Sequence, residues 1–205
     1  MSCSFSIIIP ALNEAEGIGE LLDYLHENTL GQTTEIIVID GGSTDNTLNI
    51  AKEHGALVHQ CEKGRALQMN KGAAVARNEV LYFLHADTYP PQNFLHLIAG
   101  FLDQGKGAGC FRLKFDHPHW FLKANAWFTR FSSVYLRFGD QSLFIKKSLF
   151  EQISGYDEQH VLMEDQEIIY RIKKKMRFGV IPASVTTSAR KYLAYGPFPH
   201  IKSSK

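Results

Sequence analysis

The chain has 205 residues, of which 44% are hydrophobic and 21% charged, the proportions of a globular protein. Its 22 basic and 21 acidic residues leave a formal charge of +1, which argues against a dedicated nucleic-acid binder because such proteins carry a basic excess. Cys3, Cys61 and Cys110 lie too far apart for a disulfide framework or a cysteine-rich zinc site. The sequence has neither a signal-peptide pattern nor the roughly 18 consecutive apolar residues of a membrane span. We therefore expect a soluble protein of the cytoplasm.

In the first half of the chain, short apolar segments alternate with helical patterns. Strands are predicted at residues 5–10, 35–40, 56–59 and 80–84. Helices are predicted from the apolar stripe of residues 18, 21, 22 and 25, over residues 45–54 and 66–76, and from the stripe of residues 94, 97, 98, 101 and 102. Asn13, with Glu16 three residues later, has the spacing of a helix N-cap and its capping-box partner. This alternation predicts a parallel α/β sheet whose strands all end at one edge.

The second half of the chain has a different character. Strands are predicted at residues 108–115, 142–146 and 178–181, and a helix at residues 164–175. The change occurs near Gly105, but no linker rich in Pro, Ser or Gly separates the two parts. We therefore expect a single domain over residues 1–205, with halves at about residues 1–104 and about residues 105–205 that share one core.

Polar and acidic side chains follow three of the four strands predicted in the first half. Asn13 and Glu14 follow the first strand, Asp40 ends the second, and His85 and Asp87 follow the fourth. Each group has a local explanation, since Asn13 could cap a helix, Glu14 could favour a helix dipole and Asp40 could cap a turn. Ligands of open α/β sheets bind beyond the carboxyl ends of the strands, so the coincidence of these groups at one edge favours a binding site.

The phosphate-binding motifs of other nucleotide-binding proteins are absent from the sequence. It contains no G-x-x-x-x-G-K-[ST] and no G-x-G-x-x-G after the first strand, which excludes a P-loop enzyme and leaves a Rossmann-type NAD site unsupported. An acidic edge suits a diphosphate when a divalent cation screens the charge, and Mg²⁺ commonly combines carboxylate ligands with substrate phosphates. Asp87 is the best-placed ligand, and His85 could support the metal or a phosphate, although imidazole suits Mn²⁺ better than Mg²⁺.

Four motifs, in order along the chain, resemble those of family 2 glycosyltransferases, which have the GT-A fold. They are residues 6–14 (SIIIPALNE), residues 40–45 (DGGSTD), the loop that contains Asp87, and residues 163–165 (MED). The resemblance spans about residues 4–192 and implies a Rossmann-like, mostly parallel sheet flanked by helices, with a smaller mixed half on the acceptor side. The loop around Asp87, with residues 139–141 and 187–190, resembles a small bacterial subgroup labelled radical-SAM/selenodomain-associated transferases, a name that does not settle the substrate.

The resemblance also implies roles for individual residues. Those that would bind the nucleotide sugar are Pro10, Asn13, Glu14, Asp40, Arg65, His85, Ala86 and Asp87. Asp40 would accept a hydrogen bond from the base, Arg65 would offset the diphosphate charge, and Asp87 would bind the metal, Mg²⁺ or Mn²⁺. His85 departs from the family pattern because it stands where the family has the first acid of an Asp-x-Asp motif. Asp165 matches the catalytic base and Glu164 would support it, although both acids would also suit the first turn of a helix without a catalytic role.

In the second half, two interpretations stand for each remaining candidate. Asp140 and Gln141 contact the acceptor or the donor sugar, or they form a turn before a strand. Arg190 reaches the diphosphate or lies on a solvated surface. The aromatic segment at residues 120–138 packs in the core, or it forms an exposed face for a lipid-linked acceptor or the membrane surface.

These features predict an inverting, metal-dependent glycosyltransferase that moves a sugar from a nucleotide diphosphate sugar, with uridine favoured, to an acceptor hydroxyl. A base deprotonates the hydroxyl, a cation stabilises the departing diphosphate, and a single displacement inverts the anomeric centre. A sugar nucleotidyltransferase is the alternative enzyme, but it needs a Gly-rich basic loop after the first strand, where this chain has the acidic segment at residues 11–14. The other alternative is a non-catalytic nucleotide-sugar-binding module in which Asp165 is dispensable. We expect no nucleic-acid partner, and any contact with the membrane to be peripheral and at its inner face.

Overall fold

A computed structural model of the chain describes residues 3–120, 122, 126, 127, 142–159 and 164–190. These residues form a mixed α/β structure around one eight-stranded sheet. The strands are β1 (Phe5–Ala11), β2 (Thr34–Asp40), β3 (Leu57–Gln60), β4 (Val80–Phe83), β5 (Thr88–Tyr89), β6 (Ala108–Phe115), β7 (Leu143–Lys146) and β8 (Phe178–Thr187). The helices are α1 (Ile18–Asn28), α2 (Thr47–Glu53), α3 (Arg65–Val75), α4 (Phe94–Leu102), α5 (Lys147–Gln152) and α6 (Glu164–Lys175).

The sheet is parallel in its first half and mixed in its second. Its strand order is β3-β2-β1-β4-β7-β6-β8-β5. The strands β3, β2, β1 and β4 run parallel, whereas β7 is antiparallel to both of its neighbours. Since β4 pairs with β7, the sheet continues without a break from the first half of the chain into the second.

The two faces of the sheet bury different sets of helices. Ile7 and Ile9 of β1 belong to the core cluster that includes Leu21 of α1 and Ile98 of α4. Ile8, which lies between them, belongs to the opposite cluster with side chains from α3, α5 and α6. This alternation follows from the two-residue period of a strand, and burying each such side chain contributes about 1.5–3 kcal/mol.

The last strand, β8, is longer than the sequence indicates. The sequence predicts a strand at residues 178–181, which stops before Pro182. In the structure β8 continues to Thr187 through an irregularity: Phe111 pairs with Ile181, whereas Arg112 pairs with Ser184. The longer strand brings Thr187 to β5, where the hydroxyl of Thr88 donates to the hydroxyl of Thr187 at 2.9 Å.

The prediction that Asn13 caps α1 is wrong. The helix begins at Ile18, and the N-cap position belongs to Gly17. A turn intervenes, in which the carbonyl of Glu14 accepts hydrogen bonds from the amides of Gly17 and Ile18. Asn13 instead adopts a left-handed conformation with φ of 54° and bonds to another loop.

The aromatic segment at residues 120–138 lies mostly outside the described residues. Of its described members, Leu122 is buried, whereas Trp120 and Trp127 are 73% and 46% exposed. Within the described part of the chain, no helix has both the length and the hydropathy required to cross a lipid bilayer.

We expect Gly72→Ala to lower the free energy of unfolding by about 1–3 kcal/mol, because the helix α3 lies too close to the sheet for a side chain. A Cβ at this position would lie 2.3 Å from Cγ2 of Ile8 and 3.2 Å from Cγ1 of Ile39. Gly100→Ala on α4 is the matched control, since its Cβ would meet nothing within 4 Å. That variant should gain about 0.5–1 kcal/mol from helix propensity. Urea denaturation measures both, and equal effects would contradict the close packing of α3.

Candidate active site

The loop after β1 is bonded to the loop after β2. The amide of Asn13 donates to Oγ of Ser43 at 2.9 Å, and Oδ1 of Asn13 accepts from the amide of Thr44 at 2.8 Å. The amide of Glu14 donates to Oγ1 of Thr47 at 2.8 Å. Asparagine tolerates the left-handed conformation that this arrangement requires. The two loops therefore form one rigid unit at the carboxyl ends of neighbouring strands.

Asp40 lies at the end of β2, as predicted, but it is 0% exposed. Its carboxylate accepts hydrogen bonds from the amides of Gly42 and Ser43, each at 3.1 Å from Oδ2, and from Nε2 of Gln60 at 3.5 Å. Gly42 has φ of 90°, which lets the backbone turn back toward this carboxylate. In this structure Asp40 shapes the turn, and the predicted contact with a base requires that its carboxylate become exposed.

Gln68 of α3 joins the ends of β1 and β2. Its Nε2 donates to the carbonyl of Ala11 at 2.9 Å and to the carbonyl of Ile39 at 2.7 Å. A side chain at Gly41 would crowd this bridge, because its Cβ would lie 3.0 Å from the Gln68 amide group. Gln68 is not among the site residues predicted from the sequence, although a glutamine among small and apolar helix residues was the available signal.

Arg65, the first residue of α3, connects the loop after β4 with α6. Its Nη2 contacts the His85 ring, at 3.2 Å from Nδ1. Its Nε lies 3.4 Å from Oε1 of Glu164, and its Nη2 lies 3.8 Å from Oδ2 of Asp165. Arg65 thus brings the two acids of α6 to the edge where β4 ends. A positive charge beside His85 also disfavours a second cation on that ring.

Arg190 connects the segment after β8 with the loop after β1. Its Nη2 donates to Oε2 of Glu14 at 2.7 Å, and its Nη1 donates to Oε2 of Glu16 at 3.0 Å. Burial disfavours the charged guanidinium, but Glu14, Glu16 and Asp87 outweigh it and raise the pKa of Arg190. The amide of Ser188 also donates to the carbonyl of Asp87 at 3.0 Å. Arg190 therefore lies in the acidic edge as a paired side chain.

The contacts gather the predicted residues from separate elements at one edge of the sheet. The described members are Pro10, Asn13, Glu14, Asp40, Arg65, His85, Ala86, Asp87, Glu164, Asp165 and Arg190. Asp140 and Gln141 lie outside the described residues. The gathering follows from the parallel strands, since their carboxyl ends meet on one side of the sheet.

The side chains at this edge that could ligate a metal fit a cation that takes its other ligands from a bound molecule. Among the described residues, no group of three or more His, Cys, Asp or Glu side chains is arranged to hold a metal ion. Asp87, a half-buried acid directly after β4, can supply one carboxylate. Mg²⁺ is commonly bound by one or two carboxylates together with substrate phosphates and waters. Asp87 can therefore supply the carboxylate ligand that such a site takes from the protein.

A cavity of about 470 Å³ lies beside the end of β6. Its lining includes Arg112, Lys114, Asp116 and Trp127. The carboxylate of Asp116 is engaged by the amide of Ala189 at 2.8 Å. This cavity is basic and aromatic, in contrast to the acidic strand edge, and so it is a poorer place for a cation that accompanies a diphosphate.

The family model described as Glycosyl transferase family 2 matches residues 6–156. The chain belongs to this family. A glycosyltransferase of PGL/p-HBAD biosynthesis from Mycobacterium bovis is 39% identical over 90 residues, which are 40% of this chain and 35% of that protein. Glucosyl-3-phosphoglycerate synthase from Mycolicibacterium paratuberculosis is 28% identical over 125 residues, 56% of this chain and 38% of that protein. The matches thus span only about a third of the length of these curated relatives.

Solved structures confirm the GT-A fold predicted for this family 2 chain. The mannosyltransferase PcManGT from Pyrobaculum calidifontis, in complex with GDP-Man and Mn²⁺, has a TM-score of 0.77 at 22% identity and covers 95% of this chain and 60% of its own. TarS 1–349 from S. aureus, in complex with UDP, has a TM-score of 0.76 at 21% identity and covers 90% of this chain and 60% of its own. The predicted family is confirmed as well, whereas the radical-SAM subgroup stays a prediction.

We expect Gln68→Met to lower the free energy of unfolding by about 1–3 kcal/mol, because the carbonyls of Ala11 and Ile39 lose a buried donor. Methionine keeps the unbranched shape, so the change isolates the hydrogen bonds. Gln104→Met is the control, since the Gln104 amide makes an exposed bond to the carbonyl of Gly100. Its effect should stay within about 0.5 kcal/mol. Denaturant unfolding compares the two, and a loss in Gln68→Met no greater than in the control would show that Gln68 does not hold the strand ends.

Proposed function

We propose that this protein is an inverting glycosyltransferase that moves a sugar from a nucleotide diphosphate sugar to a hydroxyl of an acceptor. The observation that carries the proposal is the position of Asp165, which Arg65 holds at the sheet edge that also contains His85 and Asp87. Membership of glycosyl transferase family 2 supports the reaction class. The lipid-linked class of acceptor and contact with a membrane stay predictions from the sequence.

A uridine-linked donor is the favoured substrate, bound along the carboxyl ends of β1, β2 and β4. Structures similar to this chain include TarS in complex with UDP-GlcNAc and glucosyl-3-phosphoglycerate synthase in complex with Mn²⁺ and UDP. PcManGT, in complex with GDP-Man, carries a different base, so the fold alone does not select the nucleotide. The loops after β1 and β2 would contact the nucleoside, because they form the rigid part of this edge.

The proposed cofactor is Mg²⁺ or Mn²⁺, with Asp87 as its protein ligand. When bound, such a cation supplies positive charge that stabilises a departing diphosphate. Arg65 adds a second positive charge at the same edge, although part of it is already balanced by Glu164 and Asp165. Mn²⁺ accompanies GDP-Man in the PcManGT structure, which supports metal use in a protein of this fold.

Asp165 is the proposed general base. As an ionised carboxylate it accepts the proton of the acceptor hydroxyl, while the hydroxyl oxygen bonds to the anomeric carbon and the bond to the diphosphate oxygen breaks. This single displacement inverts the configuration at that carbon. The Arg65 guanidinium at 3.8 Å favours the ionised form that a base requires. A retaining double displacement would need a carboxylate nucleophile on the opposite face of the sugar.

The structure gives a reason against the alternative of a sugar nucleotidyltransferase. Such an enzyme needs free backbone amides in a Gly-rich loop after β1 to hold a nucleoside triphosphate. The amides of Asn13, Glu14 and Ala15 already donate to Ser43, Thr47 and Asp45. A non-catalytic binding module differs from the proposal only in the role of Asp165.

Asp165→Asn should reduce sugar transfer by about 10²–10⁴-fold, because the amide cannot take the proton of the acceptor. Binding of the donor should stay nearly unchanged, since the base acts on the acceptor. Release of nucleoside diphosphate measures transfer, and calorimetry measures donor binding. Asp103→Asn, which changes an exposed acid at the end of α4, is the matched control. Normal turnover by Asp165→Asn would reject the assigned base and favour a different role for α6.

Asp87→Ala should weaken metal-dependent binding of UDP by about tenfold to a hundredfold, because the cation loses its protein ligand. The measurement is calorimetry with UDP in the presence of Mn²⁺ and, as the control, in the presence of a chelator. The wild-type protein should show a clear difference between these two conditions, and the variant should show little. An unchanged dependence on Mn²⁺ in the variant would remove Asp87 from the metal site.

A further inference from the structure

Tyr156 lies in the turn after α5 and is fixed to α3 through its backbone. Its amide donates to Oδ1 of Asn70 at 2.8 Å, and Nδ2 of Asn70 donates to its carbonyl at 2.9 Å. The preceding Gly155 has φ of 65°, and a Cβ there would lie 2.6 Å from Oδ1 of Asn70. The backbone of Tyr156 is therefore held on the same helix that begins with Arg65.

Aromatic packing fixes the ring of Tyr156 as well. The ring meets Phe83 edge-on at a centroid distance of 5.4 Å and Phe150 at 5.9 Å. The residue is 2% exposed. With both its backbone and its ring held, Tyr156 has little freedom to move its hydroxyl to another place.

The hydroxyl of Tyr156 is buried and has no hydrogen-bond partner among the described residues. An unpaired buried hydroxyl is unfavourable, and phenylalanine would fill the same space without that penalty. Tyr82, the other fully buried tyrosine among the described residues, has its hydroxyl paired with Oγ of Ser142 at 3.0 Å. The hydroxyl of Tyr156 thus requires an explanation that packing alone does not supply.

Three of the four charged groups that act on this hydroxyl, Asp165, Glu164 and Arg65, belong to the candidate active site. Burial and the Asp165 carboxylate raise the pKa of Tyr156 well above its ordinary value, Glu164 adds to the increase, and Arg65 and Arg171 oppose it. The hydroxyl therefore keeps its proton and remains a donor. Tyr156 shares a core cluster with Ile168 and Ile169 of α6, which lie one turn beyond Asp165 on the same face of that helix.

We propose that the Tyr156 hydroxyl donates a hydrogen bond to the Asp165 carboxylate when substrate is bound, which makes Tyr156 a positioning residue for the base. The inference rests on the proposed function, because it deepens the role assigned to Asp165. Because the hydroxyl is fixed, the Asp165 side chain has to turn toward it for this bond to form. A donor at this place orients the carboxylate toward the acceptor and favours its ionised form, as hydrogen bonds to charged groups generally do.

The direct test is carbon NMR of aspartate carboxylates in the presence of UDP and Mg²⁺, with Asp165→Asn identifying the Asp165 signal. In Tyr156→Phe we expect the titration midpoint of Asp165 to rise by about 0.5–1 pH unit relative to the wild type. Arg65, which contacts both Asp165 and Glu164, is unchanged in both proteins, as is Glu164. Tyr82→Phe is the control and should leave the midpoint in place. An unchanged midpoint in Tyr156→Phe would overturn the proposal.

Kinetics provide the second measurement. Tyr156→Phe should lower kcat by about tenfold to a hundredfold through misplacement of the base, with the KM for the donor within about twofold. Its melting temperature should be equal to or above that of the wild type, since an unpaired hydroxyl is removed. A lower melting temperature without a change in the Asp165 titration would indicate a structural role and overturn the proposal. If the wild type transferred no sugar, the proposed function would fail, while the NMR titration would still decide whether Tyr156 bonds to Asp165.

Discussion

The arrangement of the candidate site depends on two arginines, each of which pairs with acidic side chains near the ends of separate strands and helices. Without a counter-charge, the carboxylates gathered at the strand edge would repel one another. Arg65 joins His85 with Glu164 and Asp165, and Arg190 joins Glu14 with the segment after β8. Both guanidinium groups are partly exposed, so their ion pairs contribute more to the arrangement of the site than to overall stability.

Hydrogen bonds within the protein determine which groups of the edge remain for a ligand. The amides of the loop after β1 are occupied by side chains of the loop after β2, and the carboxylate of Asp40 is occupied by its own turn. Gln68 occupies the carbonyls at the ends of β1 and β2. A phosphate would therefore find few free backbone amides in these loops. Charged side chains and a bound cation are the groups that can recognise a diphosphate here.

The sequence predicted the parallel half of the sheet well, because buried strands of this kind are short apolar runs followed by polar groups. The predictions from the sequence were wrong where a local pattern competed with a contact to a distant part of the chain. Asn13 had the spacing of a helix cap but bonds to Thr44 in another loop, and the strand predicted at residues 178–181 continues past Pro182 through the irregular ladder of β8. The two-residue strand β5 exists only through its pairing with β8, so it had no periodic signal of its own.

The candidate site was predicted in part for the same reason. Strand ends and family motifs located Asp40, Asp87 and Asp165, but the position of Gln68 and the proposed role of Tyr156 depend on contacts with residues far away in the sequence. The burial of Asp40 was likewise not predictable, because it depends on how tightly its turn closes over the carboxylate.

The central claim, that the acidic strand edge binds the diphosphate of a nucleotide sugar together with a cation, is tested most directly by a crystal structure with UDP and Mn²⁺. We expect the nucleoside against the loops after β1 and β2, and Mn²⁺ coordinated by Asp87 and by diphosphate oxygens. UDP bound instead in the basic and aromatic cavity beside Trp127, or Mn²⁺ bound without any contact to Asp87, would contradict the account.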